Sequence, residues 1–429
     1  MTRHCSSRTM SERAKAPPPS SRHGYVWGVQ RAHLSTREAP EARWAGDERF
    51  YRADAKAAET STSACSEGMT ANKRILIIRS SALGDVVHVL PALAALRRLF
   101  PAAEISWVVE PLGAALLTGH PDLHRLFVPP RQAWKRDLRR LRWFKVLREI
   151  TSLTFAMRRE KFDVVLDFQG NLRSAVTVLL AGSRRRVGFA RQDVTESGAA
   201  LVTNLKAAPA APWTNKVEKN LALVRALGFD GACPRGQVPL EPGDSDWAKH
   251  FLANLEGEGP AIVLHPAVSR FGDFKRWPVR HYRALIDLSR DRLDARIAIT
   301  WGPGEEELAR EIDRPNVLSE VIPLKRLAAL LAAADLFVAA DTGALPLAAT
   351  LGTPTVGLFG PKDATIYRPY PFDGDVATSP APCSPCRLRQ CEHRICMSSI
   401  PPELVFRKAL ETLERGQVYR APPAPSEVL

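Results

Sequence analysis

Twice in this chain an apolar run ends in a polar turn bearing a glycine and passes straight into a helical pattern. The first is Ile75-Leu76-Ile77-Ile78, followed by Arg79-Ser80-Ser81-Ala82-Leu83-Gly84-Asp85-Val86-Val87-His88. The second is Asp335-Leu336-Phe337-Val338, followed by Ala339-Ala340-Asp341-Thr342-Gly343. Strands this apolar are buried on both faces, which is the condition of parallel sheets covered by helices. In such open sheets ligands bind outside the carboxyl ends of the strands. Two units of this kind predict an α/β chain with two Rossmann-like domains facing one cleft, a carboxylate on each side.

The remaining pattern agrees. In the first half, strands are expected at 75–78, 104–109 and 163–167, with helices over 87–100 and 213–227. In the second half, strands are expected at 261–265, 296–300, 336–339 and 354–360, with an Ala/Leu-rich helix over 324–334. The stretch 238–244, rich in Pro and acidic residues, reads as a boundary, giving domains over 71–240 and 241–415. Residues 1–70 hold Pro17-Pro18-Pro19 and no sustained apolar period. They read as a disordered extension or a start codon placed too early, since the run Met69-Thr70-Ala71-Asn72-Lys73-Arg74 immediately precedes the first strand. Residues 416–429 read as a flexible tail. Neither G-x-G-x-x-G nor a P-loop is present, which counts against dehydrogenase and P-loop readings.

The 429 residues carry a formal charge of +14, which calls for an anionic partner. The basic stretch over 131–148 interleaves Trp134, Leu138, Leu141, Trp143, Phe144 and Leu147 with Lys135, Arg136, Arg139, Arg140, Arg142 and Lys145. That pattern suits an anionic membrane surface. It also suits a solvated helix packed by one apolar face. No nucleic-acid recognition module accompanies it. No run of about twenty apolar residues marks a transmembrane helix. Of the seven cysteines, four fall within 383–396. Cys383, Cys386, Cys391 and Cys396 are dense enough for a structural zinc or iron–sulfur site, although the spacing fits no common knuckle. Free or paired thiols are the alternative.

Taken in order, these segments resemble the heptosyltransferase family, the glycosyltransferases of the lipopolysaccharide inner core, over about residues 73–415. The residues that carry the likeness are the 79–88 motif with Leu90-Pro91-Ala92-Leu93, Trp107-Val108-Val109-Glu110, and 121–129. Asp167-Phe168-Gln169-Gly170-Asn171-Leu172-Arg173-Ser174, Lys275-Arg276-Trp277-Pro278, Trp301-Gly302 and Asp341-Thr342-Gly343 complete it. The subgroup that adds the first heptose is the most similar. The resemblance implies a GT-B fold and inverting, metal-independent transfer that requires no cofactor. It implies ADP-heptose as donor on the C-terminal domain and a lipid-A-linked Kdo acceptor on the N-terminal one. The implied location is cytoplasmic, peripheral to the inner membrane.

Residue roles follow from the resemblance. Asp85 is the candidate base, with a helix N-cap as the alternative. Gly84 lets a ligand approach the backbone, and Ser80 and Ser81 lie beside it on the acceptor side. Lys275 is expected to neutralise the departing diphosphate, with Ser269 and Arg270 before it supplying donors. Glu305 or Glu306 would bind ribose hydroxyls. Asp341, Thr342 and Gly343 would lie against the donor, Thr342 alternatively serving as a cap. Arg173, Arg131 and Arg136 are candidates for anionic groups of the acceptor. Two positions depart from the family. Pro346 stands where many relatives have histidine, and Thr195 precedes Glu196 where the subgroup usually has arginine.

Overall fold

The computed structural model describes residues 73–268, 270–302, 304–312, 322–370, 375–386, 388 and 390–420. The expectations for 1–70 and for Ser269 fall outside these residues. Strands β1 (Arg74–Ile78), β2 (Glu104–Val108), β3 (Arg125–Phe127), β4 (Val164–Asp167), β5 (Arg185–Gly188) and β6 (Leu205–Lys206) form a six-stranded sheet in the order β3-β2-β1-β4-β5-β6. Strands β7 (Ala261–His265), β8 (Arg296–Ile299), β9 (Leu336–Ala340), β10 (Thr355–Phe359) and β11 (Asp375–Thr378) form a five-stranded sheet, β11-β10-β9-β7-β8. Every pairing is parallel. The first order is that of a dinucleotide-binding Rossmann sheet and the second that of a flavodoxin-like sheet.

Each order reverses direction once, between β1 and β4 and between β7 and β9. The apolar character of these central strands explains their place. Ile75, Leu76, Ile77 and Ile78 are fully buried, as is β9 throughout. At the reversals Ile78 lies opposite Asp167, and His265 opposite Ala339. The chain therefore leaves paired central strands side by side, opening a crevice at each point.

Several elements differ from expectation. The helix read over 87–100 is two, Leu83–Val87 and Leu90–Leu99. Pro91 opens the second, where its missing N–H costs nothing, and the same ring could not continue the first. The basic stretch likewise divides into helices Arg131–Arg139 and Trp143–Arg159, with Leu141 between them at φ 57°. The helix read over 213–227 spans only Lys216–Arg225, because the Asn215 side chain accepts from Val217 N–H and caps it. Helix Pro402–Arg420 runs into the segment read as a tail from 416.

Candidate functional site

At the first crevice, Arg79 follows β1. Its carbonyl accepts from the buried Trp107 indole at 3.1 Å, and its guanidinium donates to the Phe168 carbonyl at 2.6 Å. The same guanidinium pairs with Asp85. Asp85 lies in the first turn of helix Leu83–Val87, but the N-cap is Ala82 and no side chain caps that helix. The Asp85 carboxylate, about one-third exposed, is thus held by Arg79 rather than spent on capping. Opposite, the Asp167 carboxylate accepts from Gln169 N–H, Gly170 N–H and the Ser174 hydroxyl. Burial raises its pKa and these donors oppose the shift. The turn so pinned presents Gln169, whose side chain accepts from Ser80 N–H at 2.9 Å.

Between these turns lies a polar cavity of about 260 Å³. Arg79, Ser81, Asp85, Gln169 and Asn171 line it from the ends of β1 and β4. Phe189, Asp193 and Thr195 close the β5 side, and Lys216, Lys219 and Asn220 come from helix Lys216–Arg225. Arg79 is paired with Asp85, and Lys219 with Asp193 at 3.3 Å. Among the described residues Lys216 forms no ion pair. Burial pushes its pKa down, Asp85 pulls it up, and Lys219, Arg79 and Lys362 add to the depression. Sequence reading missed Asp193, Lys216, Lys219 and Asn220. A signal existed: Lys216 opens a helix, where the macrodipole disfavours cations, so an anion nearby is the compensating feature.

At the second crevice, Lys275 ends the 3₁₀ turn Arg270–Lys275. Its ammonium donates to the Asp341 carboxylate at 2.5 Å and to the Asp341 carbonyl at 2.9 Å. Two residues on, Trp277 is fully buried, stacks edge-on with Tyr282 and donates to the Ile400 carbonyl at 3.0 Å. That anchor fixes where Lys275 emerges. Gly343, not Thr342, is the N-cap of helix Ala344–Leu351. The Thr342 hydroxyl is buried without a hydrogen-bond partner among the described residues. Glu305, half-buried, accepts from Gly302 N–H at 3.0 Å, and burial raises its pKa. Glu306 is turned to Arg310 at 2.6 Å on the exposed side of its helix.

The two crevices meet. A Cβ on Gly84 would lie 3.2 Å from Gly343 Cα and 3.6 Å from Pro346 Cγ. A side chain at either glycine would press the two turns apart by a few tenths of an ångström. Beyond the turns, Asn215 donates to the Arg368 carbonyl at 3.1 Å and Tyr370 to Glu218 at 2.5 Å, tying the halves together. His88 is buried close by, in the field of both Asp85 and Asp341, and burial lowers its pKa to about 4.

Other candidates fall elsewhere. Ser80 is buried, its hydroxyl unpartnered among the described residues. Arg131 pairs with Glu110 at 3.5 Å, while Arg136 and Arg173 are exposed; none of the three lines the cavity. The four clustered cysteines are free thiols, with Cys383 exposed and Cys396 buried in helix Ile395–Ser398. Burial and the other three thiols raise the Cys396 pKa. Among the described residues no three His, Cys, Asp or Glu side chains are grouped to hold a metal ion. Among those residues, too, no helix is long and apolar enough to cross a membrane.

The family model for glycosyltransferase family 9 (heptosyltransferase) matches residues 150–396. Lipopolysaccharide heptosyltransferase 1 of Escherichia coli (strain K12) is 32% identical over 316 residues, 72% of this chain and 94% of that relative. This chain belongs to glycosyltransferase family 9. The solved structure of the E. coli heptosyltransferase WaaC with ADP matches with a TM-score of 0.62 at 30% identity, covering 79% of this chain and 99% of that one. The structure of WaaC with ADP-2-deoxy-2-fluoro heptose matches with a TM-score of 0.61 at the same coverage. The family 9 chain is therefore a glycosyltransferase of GT-B fold, its two sheets being the two halves of that architecture.

Proposed function

We propose that this enzyme transfers heptose from ADP-L-glycero-D-manno-heptose to the Kdo region of a lipid-A-linked acceptor, with inversion, at the cytoplasmic face of the inner membrane. The carrying observation is the contact between Gly84 and Gly343, which sets Asp85 and the Lys275–Asp341 pair on opposite sides of one seam. The acceptor occupies the cavity above β1 and β4. Its unpaired cation, Lys216, suits the carboxylate of an acidic sugar. The donor lies across the carboxyl ends of β7 and β9, and WaaC's capture with ADP and a fluorinated ADP-heptose supports that donor class.

In the transfer, an acceptor hydroxyl attacks the anomeric carbon of the heptose. Asp85 takes the hydroxyl proton while the bond from that carbon to the phosphate oxygen breaks, and ADP leaves with the electron pair. Lys275 meets the charge that builds on the diphosphate, an interaction strongest in the transition state. The N-terminus of the helix that follows Gly343 favours the same anion. In this reading Glu305, half-buried beside Gly302, rather than the outward Glu306, binds the ribose hydroxyls. The deciding experiment runs ADP-heptose with Kdo-lipid A on wild type and Asp85→Ala. Product from wild type with loss of orders of magnitude in the mutant supports both reaction and base. Unchanged mutant turnover removes Asp85 from the chemistry.

A second reading, transfer of another nucleotide sugar or to another acceptor, is favoured by two observations. Pro346 is buried against Gly84, at the position where the resemblance gives many relatives a histidine, and Thr195, where it usually gives an arginine, lines the cavity. GDP- and UDP-sugars assayed beside ADP-heptose separate the readings.

A further inference from the structure

Helix Leu172–Ala181 is apolar on two faces. Ala175, Val178 and Ala181 are buried beneath it, while Leu172, Val176 and Leu179 are 54, 56 and 52% exposed. The exposed three recur at i, i+4 and i+7, one continuous stripe. A helix apolar on opposite faces is normally covered on both. The stripe continues onto neighbouring elements. Helix Trp143–Arg159 packs against this helix and exposes Phe144 (88%), Leu147 (58%) and Phe155 (64%) along one face of its own. The 3₁₀ turn Ser197–Val202, which also packs against helix Leu172–Ala181, exposes Leu201 at 83%. Large side chains exposed singly are ordinary, but a patch spanning three packed elements marks an interaction surface.

The surroundings say what covers it. Exposed Arg139, Arg140, Arg142, Arg148, Arg158 and Arg173 stand around these apolar groups. Aromatic and aliphatic side chains set among arginines match the boundary between headgroups and acyl chains of an anionic bilayer. The patch also abuts the cavity. Asn171 and Thr195 line the cavity, Leu172 is the next residue after Asn171, and a Cβ on Gly198 would lie 2.9 Å from Leu172 Cδ2.

We propose that helix Trp143–Arg159, helix Leu172–Ala181 and the turn Ser197–Val202 form a docking face for an anionic lipid bilayer, seating the cavity mouth at the headgroup layer. This extends the proposed function, resting on it for the acceptor being lipid-linked. A sugar borne on a lipid then enters the cavity without leaving the bilayer.

The test is co-sedimentation of the full chain with vesicles of phosphatidylcholine alone or with about 30% phosphatidylglycerol, whose negative surface potential attracts basic faces. Wild type should partition to the anionic vesicles, and less so in high salt. Val176→Ser with Leu179→Ser and Leu201→Ser should lower that partition at least about tenfold, since each removes a side chain worth about a factor of ten when buried. Arg139→Gln with Arg140→Gln and Arg148→Gln should lower it comparably and weaken the salt dependence. These side chains are exposed, so both variants should melt like wild type. With a water-soluble Kdo acceptor both should turn over as wild type does, and with the same sugar on vesicles both should lose rate. Equal partition of wild type and the serine variant would overturn the proposal. So would a wild-type dimer, seen by sedimentation, that the serine variant dissolves without change in partition. Vesicle binding by an enzyme inactive on every acceptor would instead count against the transferase reading and leave the face standing.

Discussion

The two crevices answer the same topological problem with opposite electrostatics. Above β1 and β4 three cations face two carboxylates around an open cavity, and Lys216 is left over. Above β7 and β9 the principal cation, Lys275, spends two of its three hydrogens on Asp341. The first is ready for an anion before any ligand arrives. In the second an internal partner is already in place, so under the proposed function a donor diphosphate would have to outcompete the Asp341 carboxylate. The difference teaches that one half of this enzyme is organised to receive charge at rest, and the other to meet charge as it appears. A leaving group needs the second arrangement, because stabilisation that strengthens in the transition state is what accelerates the step.

The strongest way to break that contrast is at Asp85. Asp85→Asn keeps size and part of the hydrogen bonding but removes the proposed base. Turnover should fall by roughly 10²–10⁴, the span of general-base contributions. ADP binding, followed by calorimetry, should be unchanged, because Asp85 lies on the other half. Lys275→Met comes next, with kcat expected to fall by about 10²–10³. The KM for donor should move less than kcat if the ammonium acts chiefly on the departing diphosphate. A larger change in KM would make the two crevices alike, both being resting anion sites.

Lys216→Met sharpens the comparison from the other side. Losing a charge-assisted bond to the acceptor should raise acceptor KM about tenfold to a hundredfold while kcat changes little. Because burial depresses the Lys216 pKa, acceptor affinity in wild type should also weaken at a lower alkaline pH than an exposed lysine would dictate. In the Met variant that alkaline limb should be gone from a plot of KM against pH.

Much of this arrangement was legible in the residues. The turns at Gly84-Asp85 and Asp341-Thr342-Gly343 could be read because a buried strand leaves an unmistakable apolar run and only a polar turn can end it. Lys275 was visible only through the motif Lys275-Arg276-Trp277-Pro278 and the resemblance it carries; that the buried Trp277 anchors it is a finding of the structure. The cavity's far wall was not. Asp193, Lys216 and Lys219 come from elements whose position depends on β4, β5 and β6 adding in order to one edge, and no local pattern encodes that pairing. The exposed stripe of Leu172, Val176 and Leu179 was hidden for a related reason. Period alone cannot tell a buried face from an exposed one when both are apolar. The split of the helix read over 87–100 was legible in principle, since Pro91 forbids the ladder it would have to join.

The smallest expected effect concerns a pair of histidines, one for each half. His88 and His265 are both buried, and burial lowers each pKa from 6.5 to about 4. In the unfolded chain both take a proton near pH 6.5, while in the folded protein neither does until about pH 4. The unfolded state therefore binds more protons between these values, and stability should fall as pH drops through that window and level off below it. Linkage puts the loss at about 3 kcal/mol for each histidine. The two differ in their partners. His265 Nδ1 meets the Thr300 hydroxyl at 2.9 Å, whereas neither ring nitrogen of His88 has a partner among the described residues. Chemical denaturation at pH 7 and at pH 4.5 should separate them. His88→Leu should reduce the acid loss and leave stability at pH 7 unchanged or higher, since it deletes a buried polar group that makes no bond. His265→Leu should reduce the acid loss equally but cost about 1 kcal/mol at pH 7, because Thr300 keeps only its long bond to the Leu264 carbonyl. If His88→Leu proved the costlier change at pH 7, its imidazole would have to be holding the seam between the halves together.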